Sequence, residues 1–80
     1  MAIVKLFAQA RTLAGVGEIA IDLPTDARAA DVAQALIASC PALAELLPIA
    51  RVAVNRQFAA LDVAIGPGDE IAIIPPVSGG

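Results

Sequence analysis

The 80-residue sequence has no histidine, no tryptophan and no tyrosine, one cysteine (Cys40) and two phenylalanines. Each shortage removes a class of function. Without imidazole, a nucleophilic centre of the Ser-His-Asp or Cys-His type cannot be built. One thiol without histidine cannot complete a tetrahedral zinc site, and it excludes a disulfide framework. Positive charge is also scarce: five Lys and Arg stand against eight Asp and Glu, a formal net charge of −3. Nucleic acid is therefore not an expected partner, because phosphate neutralisation needs a basic face and two phenylalanines make a poor stacking platform. Long apolar runs are missing too. The longest charge-free stretch, Val32 to Ala44, contains Gln34, Ser39, Cys40 and Pro41, too short and too polar to cross a bilayer, so no membrane is expected. Lys5 interrupts the first apolar run and no small-residue cleavage site follows it. A secretory leader is not expected, and the cytoplasm is the expected compartment.

What is present is apolar. Hydrophobic residues make up 59% of the chain and charged ones 16%, too apolar for a disordered segment and short enough for one domain over residues 1–80. Ala2 to Ala8 reads as a strand with Lys5 on its solvent side, and Gln9 to Ala14 as one or two helical turns closed by Gly15 and Gly17. From Gly17 to Leu23, Glu18, Ala20 and Asp22 alternate with Ile19, Ile21 and Leu23, a half-buried strand pairing back on the first as an antiparallel hairpin. Ala29, Val32, Ala33, Leu36, Ile37 and Cys40 then form one helical stripe, with Asp31 in the first turn and Pro41 at the end. Ala42 to Leu47 reads as a further short helical turn closed by Pro48.

Ile49 to Val54 reads as a third strand, Asn55-Arg56-Gln57 as its turn and Phe58 to Ala60 as a short fourth strand. Gly66-Pro67-Gly68-Asp69 is the strongest turn signal in the chain. Glu70 to Ile74 is the last strand, with Ile71 and Ile73 on one face and Ala72 and Ile74 on the other. Pro75-Pro76 ends it, since proline cannot donate to a ladder. One helical stripe is buried compactly by laying the helix across one face of a small sheet. The predicted class is α+β: a ubiquitin-like β-grasp with a mixed four- to five-stranded sheet, one main helix across it and a flexible tail over 76–80.

The chemistry is expected in that tail. Gly79 and Gly80 carry no side chain, so a terminal carboxylate there can enter a channel too narrow for any other residue. An ionised α-carboxylate is a poor electrophile and must first be activated, most simply as an acyl-adenylate. The chain has neither a phosphate-cradling loop nor a Walker lysine, so activation belongs to a separate enzyme.

The run Val54-Asn55, then Gly66-Pro67-Gly68-Asp69-Glu70-Ile71-Ala72-Ile73-Ile74-Pro75-Pro76-Val77-Ser78-Gly79-Gly80, resembles the small subunit of molybdopterin synthase. So does Val4-Lys5-Leu6-Phe7-Ala8-Gln9-Ala10-Arg11, where that family carries Phe-Ala-x-x-Arg after the first strand. The resemblance spans nearly the whole chain, and Pro-Pro-Val-Ser-Gly-Gly is its most specific part. One departure is Arg56, where a glycine commonly follows the asparagine.

The resemblance implies a sulfur carrier that binds no cofactor and catalyses nothing by itself. An E1-like adenylyltransferase would activate Gly80 with ATP and Mg²⁺. A sulfur donor such as a cysteine desulfurase or rhodanese would then convert it to a thiocarboxylate. The large subunit of molybdopterin synthase would receive the tail, Gly79 giving clearance, and the sulfur would attack cyclic pyranopterin monophosphate. Two rounds would yield the dithiolene, with two carriers on a dimer of large subunits. A carrier for thiazole or tungsten-cofactor synthesis, a ubiquitin-like modifier joined to lysines, and a plain binding module remain as alternatives.

Other residues have two readings each. Phe7, Phe58 and Ile74 are candidates for a docking patch on the face the helix leaves uncovered, with Pro75, Pro76, Val77 and Ser78 leading into the partner; otherwise the two rings belong to the core. Cys40 on the helical stripe reads as a small core hydrophobe rather than a persulfide carrier. Lys5 and Arg11 are solvated or meet an acidic partner. Asp69 and Glu70 read as turn and surface residues without an acid–base role.

Overall fold

The computed structural model describes residues 2–76. Five strands form one sheet in the order β2-β1-β5-β3-β4. β1 (Ala2–Leu6) and β2 (Glu18–Ile21) are antiparallel, with Val4 opposite Ile19 and Lys5 opposite Glu18. β5 (Ile71–Ile74) runs parallel to β1 on its other side, with Lys5 opposite Ala72 and Leu6 opposite Ile73. β3 (Arg51–Val54) flanks β5 in antiparallel fashion and turns directly into β4 (Gln57–Phe58). This is the expected mixed sheet, with five strands.

The first strand stops at Leu6, two residues earlier than the apolar pattern suggests. The Leu6 amide donates to the Gly17 carbonyl at 2.8 Å, and beyond it β2 offers no partner. Ala8 then opens the helix α1 (Ala8–Ala14), which Gly15 closes at φ 77 with its amide on the Arg11 carbonyl. Seven residues are too few to be helical on propensity; fully buried Ala10 anchors the turn to the core.

The second helix, α2 (Ala29–Ser39), crosses one face of the sheet. Val32 and Leu36 are fully buried against Val4, Leu6, Ile71 and Ile73. Ala33, Ile37 and Cys40 flank that seam, half-buried, so the thiol packs as a core edge residue. The start of α2 is closed by two devices. The Asp31 carboxylate accepts the Arg28 amide at 2.8 Å. The Ala29 and Ala30 amides donate to the Val63 and Leu61 carbonyls at 2.8 and 3.0 Å, satisfying donors that a helix start leaves orphaned.

Between α2 and β3 the chain makes two 3₁₀ turns, Pro41–Leu43 and Leu47–Ile49, which lower Leu43, Leu46 and Leu47 into the core. Pro48 lies inside the second turn rather than closing a helix, so β3 begins at Arg51 and not at Ile49. The fourth strand is also shifted, from the expected Phe58 to Ala60 back to Gln57–Phe58. The two residues between β3 and β4, Asn55 and Arg56, both have positive φ (53° and 69°). That pair is the signature of a type I′ hairpin turn, whose backbone twist matches its strands.

Candidate functional site

Strand pleat puts alternate residues on opposite faces. Along β5, Ile71 and Ile73 point into the helix-covered core, while Ala72 and Ile74 point to the open face. Along β3, Ala53 lies opposite Ala72, and Arg51 opposite Ile74. Phe58 on β4 lies opposite Ala53. The open face therefore has a floor of two alanines between larger side chains. The result is a shallow hollow of about 400 Å³, walled by Phe7, Phe58, Ile74, Arg56 and Glu70.

Phe7 is 46% and Phe58 56% exposed. Neither ring is core, and the structure brings both together with Ile74 around one hollow. The Arg51 guanidinium lies over the Phe58 ring, 4.2 Å from its centroid. The sequence reading missed Ala53, Ala72 and Arg51. The alternation along β3 contained the signal, but only the β3–β5 register shows that both alanines fall side by side.

The chain leaves the sheet beside this hollow. Ile74 lines it and Pro75, buried, follows immediately; Pro76 is exposed. β1 and β5 are parallel, with Leu6 opposite Ile73, so Phe7 and the Pro75-Pro76 exit share one end of the sheet. Val77, Ser78, Gly79 and Gly80, on which the tail chemistry was placed, lie outside the described residues.

At the opposite end of β5 the Gly-Pro-Gly-Asp turn is pinned to the β3–β4 turn. The Asp69 carboxylate accepts the Gly66 amide at 2.7 Å and the Asn55 side-chain amide at 3.1 Å. The Asn55 side-chain oxygen accepts the Glu70 amide at 3.0 Å, and the Asn55 amide donates to the Glu70 carbonyl at 2.7 Å. The Gly66 amide first, and Asn55 second, hold the Asp69 carboxyl below its ordinary value. The carboxylate is a staple between the two turns, as the turn reading of Asp69 expects, and it is ionised near neutrality. Among the described residues no group of three or more Cys, Asp or Glu is placed to hold a metal ion, and no helix is long and apolar enough to cross a membrane.

The ThiS family matches residues 4–80. The chain belongs to that family. Small archaeal modifier protein 1 of Haloferax volcanii is 39% identical over 84 residues, covering 95% of this chain and 97% of that protein. The molybdopterin synthase sulfur carrier subunit of Chlamydomonas reinhardtii is 38% identical over 79 residues, covering 96% and 95%. The crystal structure of SAMP1 from Haloferax volcanii superposes with a TM-score of 0.87 at 36% identity, covering 99% of this chain and 98% of that one. The ubiquitin-like fold and the resemblance to the molybdopterin synthase small subunit thus stand on both sequence and structure.

Proposed function

We propose that this chain is the sulfur carrier subunit of molybdopterin synthase. The observation that carries the reading is the open alanine-floored hollow beside the Pro75-Pro76 exit, in a chain of the same family as named sulfur carrier subunits. A carrier needs a surface that docks and an arm that delivers, and both must leave from one end. The fully covered opposite face stabilises the fold and takes no part in delivery.

In this reading Gly80 is the working residue. An E1-like adenylyltransferase using ATP and Mg²⁺ joins the Gly80 carboxylate to AMP and releases pyrophosphate. The terminal sulfur of a persulfide on a sulfur donor, such as a cysteine desulfurase or rhodanese, attacks the acyl carbon and displaces AMP. A thiol then cleaves the S–S bond of the resulting acyl disulfide, being oxidised to a disulfide and leaving a thiocarboxylate on Gly80. Gly79 and Gly80 enter the active site of the large subunit, where the sulfur is a nucleophile held in place rather than one that must diffuse there. Its acceptor is cyclic pyranopterin monophosphate, and two deliveries complete the dithiolene. Phe7, Phe58 and Ile74 seat the large subunit, while Pro75, Pro76, Val77 and Ser78 line the path of the arm.

The test is the mass of the C-terminal peptide after incubation with the activating enzyme, ATP and a sulfur donor. Exchange of one oxygen for sulfur at Gly80, dependent on ATP, is expected. A Gly80 that stays a carboxylate with a competent enzyme present overturns the reading. A second reading, a ubiquitin-like modifier, is favoured by the identity to the archaeal modifier protein. It predicts isopeptide conjugates between Gly80 and lysines of other proteins, which the same peptide mapping detects.

A further inference from the structure

Charge is unevenly distributed around the open face. The chain carries five cationic and eight anionic side chains; Arg56 and Glu70 line the hollow, and Arg51 stands beside it, opposite Ile74 and over the Phe58 ring. Arg56 and Glu70 face each other at 3.9 Å. Among the described residues Arg51 has no such partner; its guanidinium rests on the Phe58 ring instead. Stacking on a ring fixes the position of the guanidinium and leaves its donor edges outward, in the planar fork that matches a carboxylate. Lys5 and Glu18, paired across β1 and β2, lie on the same face as Ala72, whereas Asp31 and Arg28 lie at the start of α2 and Asp26, Glu45 and Asp62 in the loops before and after it.

We propose that Arg51, seated on Phe58, takes an Asp or Glu carboxylate from the rim of a protein partner whose apolar side chain fills the hollow over Ala53 and Ala72. The inference rests on the open face being the docking surface. The occupant follows from complementarity: an apolar floor calls for an apolar plug, and a rim arginine without its own carboxylate calls for an acid. On the open face the cations Lys5, Arg51 and Arg56 outnumber the carboxylates Glu18 and Glu70, while around α2 Asp26, Asp31, Glu45 and Asp62 outnumber Arg28. An acid-rimmed partner is therefore oriented toward the open face even though the chain as a whole is anionic. A planar bidentate pair adds direction to an otherwise featureless apolar contact.

The experiment measures affinity and association rate of the full chain for the large subunit of molybdopterin synthase from the same organism, at low and high salt. The chains compared are the wild type, Arg51→Ala, Arg51→Lys and Ile74→Ala. Arg51→Ala is expected to weaken binding about tenfold at low salt, with the gap narrowing as salt rises. Arg51→Lys is expected to recover little, because an ammonium lacks the fork. Equal affinity and salt dependence for Arg51→Ala and wild type, with Ile74→Ala weakened, overturns the arginine's role and leaves the docking surface standing. Wild-type affinity in Arg51→Lys overturns the bidentate pair. If none of the three substitutions weakens binding, the docking surface itself is wrong.

Discussion

The two faces of β5 differ by one residue in register and by everything in purpose. Ile71 and Ile73 are fully buried beneath α2, whereas Ala72 and Ile74 face the hollow. On the covered face, branched side chains fill the space between sheet and helix, as close packing requires. On the open face the central positions are alanines, which keep the strands paired but fill nothing. A single sheet thus separates the residues that hold the fold together from those available to a partner, and each set can be altered with little effect on the other.

The harshest test of that separation is a matched pair of truncations. Ile73→Ala removes a fully buried side chain from the covered face and is expected to destabilise the chain by about 2–5 kcal/mol, a large share of the ~5–15 kcal/mol that holds a domain together. Phe58→Ala on the open face loses an exposed ring and its contact with Arg51, for less than about 1 kcal/mol. Urea unfolding followed by circular dichroism reads both. Equal losses would mean that the open face is structural after all.

How much of this contrast the sequence shows follows from the two faces themselves. Alternation in Glu70 to Ile74 and the stripe from Ala29 to Cys40 identify the covered face residue by residue, because burial imposes a period on the chain. The open face imposes none. That Ala53 meets Ala72 depends on register between strands far apart in sequence, and that Arg51 meets Phe58 depends on the two-residue turn that brings β4 back onto β3. The 61–65 segment shows no element in the sequence for another reason: the Leu61 and Val63 carbonyls serve the start of α2, and main-chain pairing leaves no mark on side-chain pattern. Pro48 misled because a proline at the first or second position of a 3₁₀ turn starts structure as readily as it ends it.

Arg56 sits where the two roles meet and sharpens the comparison from the other direction. It occupies the left-handed region at φ 69 in the hairpin turn, where a non-glycine residue costs about 1–2 kcal/mol. Part of that is offset, because glycine has more chain entropy to lose. Arg56→Gly is therefore expected to raise stability by about 0.5–1 kcal/mol, read as a higher urea midpoint with an unchanged slope. The same change removes a cation from the rim and leaves Glu70 without its 3.9 Å partner, so binding of an acid-rimmed partner should weaken while the fold tightens. An unstable Arg56→Gly would show that the side chain outweighs the strained backbone.

The smallest effect belongs to Asp69, and pH isolates it. Its carboxyl is held below the ordinary 3.8 by the Gly66 amide and then by Asn55, so the folded chain binds that proton less readily than the unfolded chain does. A depressed folded value means the group supports the fold above 3.8; the support fades as the pH falls through that value and is gone once Asp69 itself is protonated in the folded state. The group is at the surface, so the change is modest and screened by salt. Stability of wild type and Asp69→Ala measured between neutral pH and pH 3 should converge at the acid end, because only the wild type has this contribution to lose. Asp69 touches the Asn55 turn that carries β3 into β4, so its protonation loosens the scaffold under Arg56 and Phe58 without reaching Ile71 or Ile73. Parallel acid limbs in the two chains would show instead that the staple is not what sets the turn.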